Sequence, residues 1–260
     1  MNFNPKLAKT LSVLAVSALA TSAHAVGLFQ EFTVDEGSVP GALPNVFVAD
    51  KVTGSYNEKF SIKPDSSFST FAYADFQGYL KNDGATAIVS QLGSFGANGY
   101  GQYAVFTSTG SVVGGQFVGT TGSFEIYIDP NQDTTKALGL TGFDPIALGN
   151  TADDYMIAST ASPTSLVGLP GTPGAFDFWF KDFVLTAAPG GEAYWPQPSP
   201  FHTVIRTNGD FDQFPVVPGP GDYTVTGDVS YVFQQVPEPA SLTLLGLGLL
   251  GLGVRRRRNT

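Results

Sequence analysis

Short runs of alternating apolar and polar residues follow one another along the middle of the chain. Between positions 223 and 234, the odd positions hold Tyr, Val or Phe except for Gly227, and the even positions are polar except for Val232. The run at 124–128 and the phenylalanines at 176, 178 and 180 repeat the period of two that is typical of β-strands. Further candidates lie at 68–80, 102–106, 111–118 and 202–206. The pattern predicts roughly ten strands separated by turns.

Glycine and proline interrupt these runs too often for long helices. The region from Val26 to Val236 has 211 residues, of which 27 are Gly and 15 are Pro. We therefore predict an all-β body with the architecture of an antiparallel β-sandwich or jelly roll. Only Thr134 to Leu140 has some helical character, and Gly227 predicts a bulge or turn. The proline-rich stretch 163–220 could be a domain linker or a long ordered loop on the sandwich, and we favour the loop because aromatic strand-like runs continue on both sides and inside it, as one core requires.

The beginning of the chain has the three parts of a secretory signal peptide. A basic start with Lys6 and Lys9 precedes an uncharged apolar run at 11–20, and Ala23 and Ala25 form the small-x-small pattern that signal peptidase requires. We expect a signal helix within residues 1–25, with cleavage before Val26. Residues 26–235 would then form one extracellular β-rich domain.

The other end combines three unlike elements in a fixed order. Val236, Pro237, Glu238 and Pro239 precede an apolar run at 240–254, and four arginines follow it, namely Arg255, Arg256, Arg257 and Arg258. The 15 apolar residues would cover roughly 22 Å as a helix, which is short for a bilayer core of about 30 Å. We predict a transmembrane helix at 240–254, with the arginines as a cytoplasmic stop and the body outside.

This C-terminal order resembles the PEP-CTERM sorting signal of Gram-negative bacteria, over residues 236–260. The resemblance implies a temporary inner-membrane anchor, recognised by a membrane protease called exosortase that releases the protein to the cell exterior. It also implies an association with exopolysaccharide production. The opening of the body at 34–42 and its ending at 226–239 resemble, in general pattern, the flocculation-associated PEP-CTERM proteins. That narrower resemblance implies a role in holding cells in a polysaccharide matrix.

Charge and composition exclude several classes of function. Between Val26 and Val236 there are 7 basic and 21 acidic residues, so this region carries −14 and would repel nucleic acid. The chain has no cysteine, which excludes disulfides, thiolate metal sites and cysteine nucleophiles. It has two histidines, and His24 lies in the signal segment, so sites with two His ligands are excluded from the body.

One turn has the spacing of a calcium loop. Asp129, Asn131 and Asp133 place three oxygen ligands at alternate positions after a strand. An EF-hand loop would also need Gly at its sixth position and Glu at its twelfth, and the chain has Thr134 and Leu140 there. The alternative is a solvated turn in which Asp and Asn bind their own backbone. We expect no cofactor, with calcium at these three residues as the one alternative.

Other candidates for chemistry are less specific. Asp177 and Asp182 flank Trp179, and a pair of carboxylates beside an aromatic ring could bind or cleave a sugar. The alternative is that both are exposed polar positions of an alternating strand. His202 stands alone, and no G-x-S-x-G elbow occurs. Aromatic residues that could stack on sugars, if exposed rather than core, are Tyr100, Tyr103, Tyr194 and Trp195.

These observations favour an exported, exosortase-processed surface or matrix protein that is not an enzyme. Its expected partners are signal peptidase, exosortase, the inner membrane for a time, and extracellular polysaccharide in flocs or biofilm. Two alternatives stay open at this point. One is a calcium-dependent carbohydrate-binding lectin, which sandwich folds often host. The other is a secreted glycoside hydrolase.

Overall fold

The computed structural model describes residues 29–234, and fifteen strands account for most of them. The strands are β1 Phe32–Asp35, β2 Val46–Ala49, β3 Lys51–Ile62, β4 Ser67–Lys81, β5 Thr86–Ala87, β6 Gly101–Val113, β7 Gln116–Asp129, β8 Thr135–Ala137, β9 Ala147–Gly149, β10 Tyr155–Thr160, β11 Ser162–Leu169, β12 Gly174–Lys181, β13 Val184–Leu185, β14 Val204–Phe211 and β15 Gly221–Gln234. A 3-10 turn at Glu36–Ser38 and the short helix α1, Gly191–Tyr194, complete the described elements. The predicted all-β class is confirmed.

Eight antiparallel strands close into a barrel. Their order is β11, β12, β14, β15, β3, β4, β6 and β7, and the pairs Val167–Val118 and Gly168–Phe117 join β7 back to β11. The expected antiparallel body is thus one sheet closed on itself. The second half of β7 pairs instead with β10, which carries β13 on its other side. The barrel strands β12 and β14 and all but the first residue of β11 fall inside the proline-rich stretch 163–220, so its interpretation as a loop is wrong.

The barrel interior is filled by large apolar side chains. Of the apolar face predicted for β15, Val225, Val229, Tyr231 and Phe233 are buried and Tyr223 is half-buried, while Ser230 and Val232 of the other face are buried as well. Facing strands add mainly aromatic rings, namely Tyr56, Phe60, Phe68, Phe76, Phe106, Phe117, Phe124, Phe176 and Phe180. Rings of this size meet in edge-to-face and stacked pairs, as Phe76 does with Tyr231 at 4.8 Å.

Three local predictions are wrong, each for a physical reason. Gly227 forms no bulge, because β15 keeps its register with β3 there. A Cβ at this position would lie 2.1 Å from the backbone oxygen of Asp210 and 2.9 Å from the Tyr56 ring, so glycine permits the close approach of both. Segment 111–118 is a hairpin rather than a strand, since Gly114 and Gly115 both have positive φ and form its two-residue turn. Thr134 to Leu140 contains β8, which pairs with β9.

The predictions for both chain ends concern residues that the structure does not describe. The signal peptide 1–25 with Ala23 and Ala25, the motif 236–239, the apolar run 240–254 and the arginines 255–258 all lie outside 29–234. Over the described range, no helix has the length and apolar character needed to cross a bilayer.

Candidate functional site

An open cleft of about 480 Å³ lies beside the turn that follows β7. Its walls come from three segments that are distant in sequence: the second half of β4, the loop before β6 with the start of β6, and the stretch from the end of β7 into β8. We call it the Asp75 cleft, and its lining residues are Asp75, Phe76, Gln77, Gly93, Phe95, Gly101, Gln102, Asp129, Gln132, Thr134 and Lys136. Its volume lies within the range of about 300–1,000 Å³ that is usual for small-molecule sites.

An ion pair fixes one wall of the cleft. Lys136 Nζ lies 3.1 Å from Asp75 Oδ1, and the lysine side chain is only 11% exposed whereas the aspartate is 45% exposed. The ammonium also donates to Thr134 O at 3.3 Å and sits 4.7 Å from the centre of the Tyr103 ring. These contacts hold Lys136 in place and neutralise its charge locally, while the Asp75 carboxylate stays accessible to solvent.

Phe95 is a fully exposed aromatic ring at the same cleft. The loop that carries it is held on both sides, because Gly93 N donates to Tyr100 O at 2.9 Å and Gln132 Nε2 donates to Ser94 O at 2.8 Å. The ring is therefore presented to solvent from an anchored backbone.

The predicted calcium ligands lie together in the turn behind this cleft. Asp129 is buried, and its carboxylate accepts from the backbone amides of Thr134 at 3.0 Å and Asp133 at 3.3 Å. Asn131 Oδ1 accepts from the Asp133 amide at 3.1 Å. Two of the three side chains thus bind the turn's own backbone, and over residues 29–234 no group of three or more His, Cys, Asp or Glu is arranged to hold a metal ion. Calcium binding here stays a prediction.

The surroundings of this turn are strongly acidic. The pKa of Asp133 is raised by loss of solvation and then by the nearby charges of Asp153, Asp129 and Asp154. Asp154 accepts from Tyr103 OH at 2.7 Å and from Thr134 Oγ1 at 2.8 Å, so it also braces the turn. The region as a whole carries a negative field.

The carboxylate pair around Trp179 is engaged in local contacts. Arg206 binds both oxygens of Asp177, with Nε to Oδ1 at 2.6 Å and Nη2 to Oδ2 at 3.0 Å. The Trp179 indole N–H donates to the same carboxylate at 3.0 Å, and the guanidinium lies 4.8 Å from the indole centre. Asp182 adopts a positive φ of 54° just after β12. The arrangement is a stacked ion pair on the outside of the barrel.

His202 and the four candidate sugar-stacking aromatics are core residues. His202 is 3% exposed, its Nε2 lies 3.0 Å from Glu31 O, and burial lowers its pKa. The rings of Tyr100, Tyr103, Tyr194 and Trp195 are all buried. Of the two interpretations left open for these aromatics, the structure supports packing.

A buried chain of hydroxyls and amides, which the sequence did not reveal, closes one end of the barrel. We call it the tyrosine network, and its members are Glu36, Tyr79, Tyr100, Gln102, Tyr194 and Tyr231. Tyr194 OH is hydrogen-bonded to Tyr100 OH at 2.6 Å and also to Tyr79 OH.

The fully buried carboxylate of Glu36 ends the tyrosine network and accepts hydrogen bonds from Asn45, Ser90, Gln91 and Tyr100. Burial acts to raise the pKa of Glu36, but hydrogen bonds from Ser90, Asn45 and Gln91 outweigh it and lower the pKa.

A second buried carboxyl, Glu58, lies in the middle of the barrel interior. It borders two cavities of about 30 and 10 Å³, and the larger exceeds the ~10–15 Å³ that a water molecule needs. Thr70 Oγ1 donates to it at 2.5 Å, and burial raises its pKa to about 7. The sequence did carry a signal, since Glu58 occupies the same alternate positions as Tyr56 and Phe60 on one strand.

Comparison with known proteins identifies one segment. A family model described as the PEP-CTERM protein-sorting motif matches residues 235–258, which include the predicted Val236–Pro239 motif and the four arginines. No curated protein and no solved structure matches the chain. The motif implies export and processing by exosortase, a membrane protease, before the protein reaches the surface. The chain therefore carries the PEP-CTERM sorting signal at residues 235–258 and is an exported, exosortase-targeted protein.

Proposed function

We propose that the barrel is a non-catalytic matrix protein that associates with exopolysaccharide and helps cells aggregate in flocs or biofilm. The observation that carries this proposal is the sorting motif at 235–258, because proteins with this signal accompany exopolysaccharide production. The resemblance of the body's opening and ending to flocculation-associated proteins points in the same direction. Signal peptidase would remove residues 1–25, and exosortase would remove the anchor.

The surface of the barrel suits a role among polysaccharides. A region with 21 acidic and 7 basic residues stays soluble outside the cell and can be bridged to other acidic surfaces by divalent cations. The Asp75 cleft adds a concave site with an exposed ring and several polar groups. These features support binding rather than a particular reaction.

The contacts of the catalytic candidates support the non-catalytic part of the proposal. His202 is buried and bound through Nε2 to a backbone carbonyl, and both oxygens of Asp177 are held by Arg206. General acid–base catalysis needs a group within hydrogen-bond reach of the substrate proton. His202 Nδ1 has no hydrogen-bond partner among residues 29–234 but is buried away from any substrate, and the exposed Asp177 carboxylate is already paired with a guanidinium.

The connection between barrel and sorting motif is short. β15 is a barrel strand that ends at Gln234, and the matched motif begins at residue 235. The folded body would therefore sit directly at the membrane surface until exosortase releases it.

A deletion strain tests the proposal. We expect cells that lack the protein to lose flocculation while making normal amounts of polysaccharide, and a plasmid copy to restore it. A copy in which Arg255–Arg258 are replaced by Ser serves as a sorting control and should leave the protein unreleased. The intact mass of the extracellular protein should show that both ends have been removed. Normal flocs in the deletion strain would refute the proposed role.

A further inference from the structure

We propose that the Asp75 cleft binds a neutral pyranose unit of a polysaccharide, with Phe95 as the stacking platform and Asp75 as the main hydroxyl acceptor. The inference deepens the proposed matrix function and rests on it for its biological setting. It is carried by the juxtaposition, in one cleft, of an exposed ring, an oriented ion pair and two side-chain amides.

The ring provides the apolar half of a sugar site. A pyranose has C–H groups on one face, and these carry partial positive charge that is attracted to the negative face of an aromatic ring. Phe95 is fully exposed, yet its loop is anchored through Gly93 and Ser94. Little ordering of this backbone is required on binding, which favours affinity.

Three polar side chains, those of Asp75, Gln77 and Gln132, provide the hydrogen-bonding half of the sugar site. Asp75 Oδ1 is held by Lys136, whereas its Oδ2 accepts no hydrogen bond from any residue in the range 29–234. Gln77 is exposed, and its side-chain amide has no partner within the same described region. Gln132 uses one amide hydrogen on Ser94 O and keeps its oxygen available. Adjacent sugar hydroxyls both donate and accept, so carboxylate and amide groups match them.

The charges around the cleft select against acidic sugars. Among the residues of 29–234 that line it, the one ammonium, that of Lys136, already pairs with Asp75, and Asp129 lies in the wall. Asp133, Asp153 and Asp154 surround the adjoining turn. An anionic ligand such as a uronate would meet this negative field without a free cation to bind it, whereas a neutral hexose would not.

Binding of defined oligosaccharides to the protein recovered from the cell exterior tests this site. The probes are cellohexaose as the neutral ligand and a galacturonate hexamer as the anionic one, each titrated by calorimetry. The wild-type protein should bind the neutral probe saturably. Phe95→Ala should raise its Kd about tenfold or more, as truncation of an aromatic anchor does, and Asp75→Asn should also weaken it. Phe143→Ala, which truncates another exposed phenyl ring outside the cleft, should leave the Kd unchanged.

The outcomes separate the cleft from the wider function. Absence of neutral-probe binding, unchanged affinity in Phe95→Ala, or preference for the galacturonate would overturn the cleft proposal. The Phe95→Ala gene is also placed in the deletion strain. If deletion abolishes flocs and the variant gene fully restores them although the calorimetry shows no loss of affinity, the matrix role holds and the cleft is refuted. If deletion has no effect on flocs but the calorimetry succeeds, the site holds and the matrix role fails.

Discussion

Two of the described glutamates, Glu36 and Glu58, are buried, and their surroundings shift the pKa of the carboxyl group in opposite directions. Glu36, at the closed end, accepts five hydrogen bonds from four residues, and its pKa is lowered. Glu58, in the middle of the interior, accepts from Thr70 among the described residues, and its pKa is raised to about 7. Burial is common to both, so the number of donors decides whether the charged form is stabilised.

The difference has a structural origin. Glu36 lies where loops from several parts of the chain converge, and loops bring backbone amides and polar side chains. Glu58 lies on β3 between β15 and β4. The backbone N–H and C=O groups of these strands pair within the sheet, and apolar rings from the barrel strands point inward around Glu58. A carboxylate in such surroundings loses its hydration and gains little in return. Glu36 therefore stabilises the fold as an anion, and Glu58 is best tolerated when protonated.

Removal of Glu36 should have the largest effect. Glu36→Ala leaves five donors without their acceptor, one on the buried Tyr100 and four on half-buried residues, and we expect it to lower the free energy of unfolding at pH 7 by about 3–5 kcal/mol. Urea unfolding followed by fluorescence measures this value. Glu192→Ala, at an exposed glutamate of α1, is the matched control and should change it little. A loss below ~1 kcal/mol would mean that the network does not need its carboxylate.

Glu58→Gln should stabilise the protein, but only at neutral and alkaline pH. The folded pKa of about 7 exceeds the ordinary value of 4.5, so the folded state binds more protons between these values and wild-type stability falls as pH rises through that window. The glutamine variant lacks this loss. At pH 8 it should be more stable by up to about 3 kcal/mol, and near pH 4.5 the two should agree.

Urea unfolding of both proteins across pH 4.5–8 gives the difference directly. His202 has a lowered pKa and destabilises the fold as pH falls, but it is present in both proteins and cancels in the comparison. A difference that does not change with pH would show that Glu58 does not titrate in this window.

Tyr194→Phe probes the tyrosine network below Glu36. The Tyr194 hydroxyl is hydrogen-bonded to Tyr79 and Tyr100. Its removal should lower the free energy of unfolding by about 2 kcal/mol, because each buried hydrogen bond contributes about 1 kcal/mol. Tyr155→Phe is a close control, because the Tyr155 hydroxyl is buried with no partner within 29–234. That variant should be neutral or slightly more stable in the same urea experiment. Equal losses in both variants would argue against a cooperative network.

Thr70→Val should give the smallest effect and acts on the other glutamate. Its hydroxyl donates to Glu58 and lowers the pKa of that carboxyl against the larger effect of burial. Without it, we expect the pH midpoint of the stability change to move upward and stability at pH 8 to fall by about 1 kcal/mol. The shift should disappear when Thr70→Val is combined with Glu58→Gln. A shift that persists in the double variant would exclude Glu58 as its cause.

The all-β class, the apolar face of the last strand and the sorting signal could be predicted from the chain alone. Alternation placed the inward residues of β15 correctly, because a strand exposes alternate side chains to opposite faces whatever its neighbours are. The motif at 236–239 and the arginines were readable because their order and spacing along the chain constitute the signal. Glu58 also stands out in the sequence, because it occupies an otherwise aromatic face of one strand.

How these strands close and which polar groups meet depends on the tertiary structure. The pairs between β7 and β11 that make the barrel join residues about fifty positions apart, and no local pattern specifies such a partner. Glu36 receives donors from as far along the chain as Ser90 and Tyr100, and the Asp75 cleft brings together three separate segments. Such sites depend on long-range register and on the volume of the rings between them, so they follow from packing rather than from the neighbouring residues of the chain.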